Sequence, residues 1–84
     1  MMIGLLLTLA VPQAVEPAIC AARPAEVLVG ERYRRRVPTR AKKLSGARVV
    51  RVVYPGEVTT MEFREDRLTV RLDYRRRIIA VRCG

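Results

Sequence analysis

Residues 55–73 read PGEVTTMEFREDRLTVRLD, and the fold turns on how this stretch is read. It opens on Pro55-Gly56, a pair suited to a turn because Pro presets φ and Gly admits positive φ. A polar, extended run follows, with Met61 at its centre. It closes on a strand in which Leu68, Val70 and Leu72 alternate with Arg67, Thr69 and Arg71. Period-two alternation puts the first set on one face and the second on the other.

Working back from the loop, RVVRVVY (48–54) is Val-rich and reads as a strand, and Val on both faces suggests a central one. Working forward, RIIAVRC (77–83) reads as the third strand. Residues 73–76, Asp-Tyr-Arg-Arg, lack the Asn-Gly chemistry of a tight hairpin, so a looser turn is expected. No helical pattern lies between the first two strands, and a long structureless connection in a small domain points to function. A helix is expected from Val37 or Pro38 to Ser45, because Pro is tolerated in a first helical turn and Ser45-Gly46 is a stop. Ala41 and Leu44 would face inward. Leu28 and Val29 are expected to dock on the core, and residues 12–24 to form an irregular arm.

Eighty-four residues allow one small domain, which often needs a staple. Residues 3–11 are apolar but too short to span a bilayer, which takes about 20 residues. They read as a signal h-region, although no Lys or Arg precedes them and neither Thr8-x-Ala10 nor Pro12-x-Ala14 is a clean cleavage motif. The alternative is a buried helix or strand. Export would make the chain secreted or periplasmic and would pair its two cysteines, Cys20 and Cys83.

The composition excludes several chemistries. With no His there is no His-based triad, and two Cys alone cannot complete a zinc site. Ser45 is the only Ser, Thr59 and Thr60 have no evident activator, and Glu65 and Asp66 point to opposite faces of an extended chain. No enzymatic activity and no cofactor or metal are therefore expected. The net charge is +9, with Arg32, Arg34, Arg35, Arg36, Arg40, Lys42 and Lys43 in one run. That run reads either as a binding module for nucleic acid or anionic surfaces, or as a solvated basic face. Tyr33 is the only aromatic within it, so nucleic acid is not the expected partner.

The loop carries the stronger functional signal. Val58, Thr59 and Thr60 favour extended backbone, and a protease grips its substrate as an extended strand. Met61, flanked by polar Thr60 and Glu62, suits an apolar specificity pocket. TTMEFREDRLTVRLD, with Val27-Leu28-Val29-Gly30 upstream, resembles the potato inhibitor I family of serine protease inhibitors. The cysteine near the start, SGARVVRVVYPG and the terminal Arg-Cys-Gly resemble more narrowly a secreted bacterial and fungal branch, peptidase inhibitor family seventy-eight.

This resemblance implies an α+β fold, with a single short helix packed on a small mixed sheet and an extended loop projecting from it. It divides the chain into residues 1–19, a signal peptide and N-terminal arm, and residues 20–84, a protease inhibitor domain. It implies a monomer that inhibits proteases of subtilisin, chymotrypsin or elastase type. Met61–Glu62 would be the presented bond, with Val58, Thr59 and Thr60 before it and Phe63 and Arg64 after it. Arg67 would brace the loop from beneath, helped by the Gly84 carboxylate. Thr69 stands where many plant members of the family place a second supporting Arg, which implies a thinner brace. An inhibitor fold without inhibitory activity is the remaining alternative.

Overall fold

Apolar side chains from one side of a three-stranded sheet face a helical layer, and the other side of the sheet carries no helix among the described residues. The computed structural model describes residues 4, 19–58 and 62–84. Strands β1 (Val49–Val53), β2 (Arg67–Leu72) and β3 (Ile78–Cys83) form one sheet in the order β1-β2-β3. β1 and β2 are parallel, with Val49 opposite Arg67 and Val53 opposite Arg71. β2 and β3 are antiparallel, with Leu68 opposite Cys83 and Leu72 opposite Ile78. The fold is α+β, with a mixed sheet.

The helical layer has two short helices. The expected one, α2 (Val37–Ser45), carries Pro38 in its first turn and ends at Gly46, whose φ of 73° is left-handed. The Gly46 amide donates to Lys42 O at 2.8 Å, a capping bond that Gly makes without steric cost. Ser45 donates its hydroxyl to Ala41 O at 2.6 Å and accepts from the Ala47 amide at 3.1 Å, so its buried oxygen is satisfied twice.

The other helix, α1 (Ala22–Ala25), runs into a 3-10 turn at Glu26–Leu28. The single helix expected from the sequence is corrected here, and so is the end of the expected irregular arm, where residues 22–24 are helical; residues 12–18 of that arm, like residues 5–11 of the expected signal segment, lie outside the described residues. α1 lies where Ala and Pro without a capping side chain gave no signal, and the packing of Ala25 and Leu28, both fully buried, holds it. Val29 is also corrected. It is 45 % exposed because the chain leaves the core immediately after Leu28.

The core joins Ala25, Leu28, Val37 and Ala41 from the helical layer to Leu68, Val70, Leu72 and Ile78 from the sheet. Burying each large side chain contributes about 1.5–3 kcal/mol. The sheet order also corrects β1, which is an edge strand among the described residues, while β2 is central. β2 keeps its strict alternation because helices cover only one of its faces. β1 is apolar on both faces for a different reason. Val50 and Val52 pack against the core, whereas Val53, 2 % exposed, is buried on the opposite, loop-facing side.

Two features organise the ends of the sheet. At one end, Asp73 replaces tight-turn chemistry: its Oδ1 accepts from the Arg75 and Arg77 amides, each at 2.8 Å. Arg76 adopts a φ of 62°, the left-handed position usually given to Gly, and the register shifts at Arg71/Leu72. At the other end, a disulfide joins Cys20 to Cys83 across 63 residues of chain. No helix among the described residues is long and apolar enough to cross a membrane.

Candidate functional site

The connection from β1 to β2 leaves and rejoins the sheet through two local devices. At its start, Glu57 N donates to Tyr54 O at 3.1 Å across Pro55-Gly56, and Gly56 has a φ of 78°. Pro followed by a positive-φ Gly is the chemistry of a type II turn. The Glu57 carboxylate closes the turn by accepting from the Tyr54 amide at 2.9 Å. Val58, which follows, is 90 % exposed.

At its end, Asp66 O accepts from the amides of Arg48 and Val49, tying the loop exit to the entry of β1. Arg64 and Asp66 form a two-pronged ion pair, with Nε–Oδ1 and Nη2–Oδ2 both at 3.1 Å. Hydrogen bonding from Arg64 holds the Asp66 carboxyl below the ordinary aspartate value of 3.8. The ionised form is thus favoured in the folded chain. Whatever the pair contributes is present above the unfolded-chain value and is lost as pH falls through the folded one. The expected NMR titration of Asp66 has its midpoint below 3.8, moving upward in Arg64→Gln; a midpoint at or above 3.8 contradicts the pairing.

Beneath the loop lies Arg67, the first residue of β2 and only 9 % exposed. Its Nη2 donates to Glu62 O at 2.8 Å and its Nε to the Gly84 oxygen at 3.2 Å. The Arg67 carbonyl accepts from the Gly84 amide at 2.8 Å. Thr69 donates its hydroxyl to the same Gly84 oxygen at 2.7 Å. Arg67, Thr69 and Gly84 therefore form one connected set, and the Cys20–Cys83 disulfide lies one residue from Gly84.

Phe63 completes the contact. Its ring lies so close to Gly84 that a Cβ there would sit 2.7 Å from Phe63 Cε2, and Gly84 has a φ of 126°. Both facts favour Gly at this position. Between the loop and the open face of the sheet is a cleft of about 620 Å³, lined in part by Arg51, Val53, Glu62, Phe63, Arg67 and Thr69.

The structure thus brings together Glu62, Phe63, Arg67, Thr69 and Gly84, while Arg64 turns instead to Asp66. Thr59, Thr60 and Met61, and with them one side of the expected Met61–Glu62 bond, lie outside the described residues. Sequence reading missed the Thr69–Gly84 bond, the Phe63–Gly84 contact and the Glu57 cap. Glu57 alone left a local signal, a carboxylate directly after Pro-Gly.

Residues 20–84 match the model of the peptidase inhibitor I78 family, and the chain belongs to that family. A similar solved structure is that of the elastase inhibitor AFUEI in its crystal form II, with a TM-score of 0.66 and 28 % sequence identity, covering 82 % of this chain and 100 % of that one. No curated protein sequence matches the chain.

Proposed function

We propose that the chain is a secreted or periplasmic, monomeric inhibitor of serine endopeptidases of elastase, subtilisin or chymotrypsin type, with Met61–Glu62 as the bond it presents. It has no catalytic role of its own. The observation that carries this reading is the bond from buried Arg67 to the carbonyl of Glu62, the residue just after the proposed bond. Membership of a peptidase inhibitor family and likeness to an elastase inhibitor support it.

The mechanism follows from the brace. In the proposed complex the protease grips residues 58–63 as an extended strand, and Met61 fills an apolar pocket. A loop held in its bound shape loses little conformational entropy on docking. If the protease attacks the Met61 carbonyl, the new amine belongs to Glu62. Arg67 holds Glu62 through its carbonyl, and Phe63 lies against Gly84. The amine stays beside the acyl group, so religation outruns hydrolysis.

Arg67→Ala removes both side-chain bonds, each worth about 1.5–3 kcal/mol for a charged donor. The expected result is a stability loss of about 3 kcal/mol and conversion of the inhibitor into a substrate. Mass spectrometry of a protease mixture should show rapid cleavage after Met61 in the variant and persistence of the parent chain. Equal resistance to cleavage in the two proteins contradicts the bracing role.

A further inference from the structure

Two arginine-rich segments far apart in sequence are brought side by side at the end of the sheet away from Arg67. Arg32 forms a β-bridge with Arg77, and the Tyr33 amide donates to Arg76 O at 2.7 Å. The Gly30 amide donates to Ile78 O at 2.7 Å, and the Ile78 amide to Glu31 O at 2.8 Å. The backbone thus zips residues 30–33 against residues 76–78. The result is a groove of about 850 Å³ lined by Arg32, Arg34, Arg35, Arg36, Arg40 and Arg77. All six are exposed. Arg75 and Arg76 stand exposed on the adjoining turn.

Little in the groove neutralises this charge. Glu31 is paired with Arg40 at 2.9 Å. Asp73 at the adjoining turn spends its Oδ1 on two backbone amides. No salt bridge engages Arg32, Arg34, Arg35 or Arg36 among the described residues. Five guanidinium groups without an acidic partner among the described residues, those of Arg32, Arg34, Arg35, Arg36 and Arg77, repel one another around one concavity, and a multivalent anion relieves that repulsion. Guanidinium forks bind sulfate and carboxylate groups in bidentate fashion.

We infer that this groove is a binding site for a linear anionic polysaccharide bearing sulfate or carboxylate groups. Three observations select this partner. The groove is concave with basic residues on both walls, which admits a chain, whereas a flat bilayer reaches only the rim. The aromatic within the basic run, Tyr33, packs against the core, and the exposed Tyr74 on the adjoining turn is a single ring, which gives no platform for stacking successive bases. The structural disulfide fits an oxidising compartment. The site does not depend on protease inhibition. It lies beyond the Leu72/Ile78 end of the β2–β3 pair, whereas Arg67 and Gly84 lie at the Leu68/Cys83 end. Polymer and protease would occupy opposite ends, anchoring the inhibitor without covering its loop.

Heparin serves as the probe for the full oxidised chain. The unaltered protein should leave immobilised heparin at higher salt than it leaves a simple sulfonate exchanger. A triple variant, Arg34→Ser with Arg35→Ser and Arg36→Ser, should bind a heparin oligosaccharide at least about tenfold more weakly. A control, Arg51→Ser with Arg71→Ser and Arg82→Ser, removes equal charge from the strands and should lose much less. Equal losses in the two variants, or tighter binding of duplex DNA or phosphatidylglycerol vesicles than of heparin at the same salt, overturn the assignment. If the triple variant does not fold, amide NMR shifts on the unaltered protein decide. Shifts centred on residues 30–36 and 75–78 support the groove, and shifts centred elsewhere overturn it.

Discussion

Met61→Asp is expected to weaken inhibition of an elastase- or subtilisin-type protease by about 4 kcal/mol or more, about a thousandfold in the inhibition constant. The sequence places Met61 between Thr60 and Glu62, an unbranched apolar side chain among polar neighbours. In the proposed complex it leaves water for an apolar pocket. A carboxylate taking the same path is desolvated with no cation to receive it, or must first take up a proton. Met61→Leu keeps volume and polarity and should change inhibition by less than about tenfold. Circular dichroism should show both variants folded. Inhibition constants measured side by side check the pair. Unchanged inhibition by Met61→Asp moves the presented bond to another residue.

Replacing both cysteines, Cys20→Ser with Cys83→Ser, is expected to cost about 4 kcal/mol of folding stability. The disulfide closes a loop of 63 residues, and chain-entropy arithmetic at that length gives about 4 kcal/mol. For a domain this small that is a large share of a net stability of about 5–15 kcal/mol. A functional loss should accompany it. Cys83 precedes Gly84, whose oxygen receives both Arg67 Nε and the Thr69 hydroxyl. Freeing the chain at Cys83 loosens that acceptor and, through it, the hold on Glu62. Denaturant unfolding measures the first effect, and the cleavage rate by protease in the cold, where the variant stays folded, measures the second. A variant as cleavage-resistant as the parent would separate the staple from the brace.

Strand identity was legible because β1 and β2 carry strong and different patterns. RVVRVVY has Val at four of its seven positions, and RLTVRL alternates strictly. Neighbour order was not legible. Periodicity reports which faces are covered, and it does not report which strand lies in the middle. The second apolar face of β1 came from Val53 beneath the loop, which looks the same in sequence as burial in a central strand. α1 was silent because Ala22–Ala25 has no capping side chain and gains its stability from docking Ala25.

The site shows the same division. Arg67 is a strand residue on a polar face, and only the family resemblance singled it out. Its burial, its reach to Glu62 and its link to Gly84 are tertiary facts. Thr69 marks a sharper limit. The resemblance implied a thinner brace there, since a hydroxyl cannot extend to the loop as an Arg can. In the structure it bonds the Gly84 oxygen that also holds Arg67. Its support runs through Gly84 to the Arg, a route that no local pattern encodes. The arginine groove is equally non-local: RYRRR belongs to one basic run and residues 73–76 read as a loose turn, and only the Arg32–Arg77 bridge brings them together.

In the proposed function, a loop fixed to Arg67 makes this chain an inhibitor and not a substrate. Titrating an active elastase with the folded, oxidised protein tests it most directly. Activity should fall linearly to near zero at one inhibitor per enzyme and stay there on prolonged incubation. Full activity in a micromolar excess of the protein, or inhibition that decays as the chain is cut between Met61 and Glu62, contradicts it.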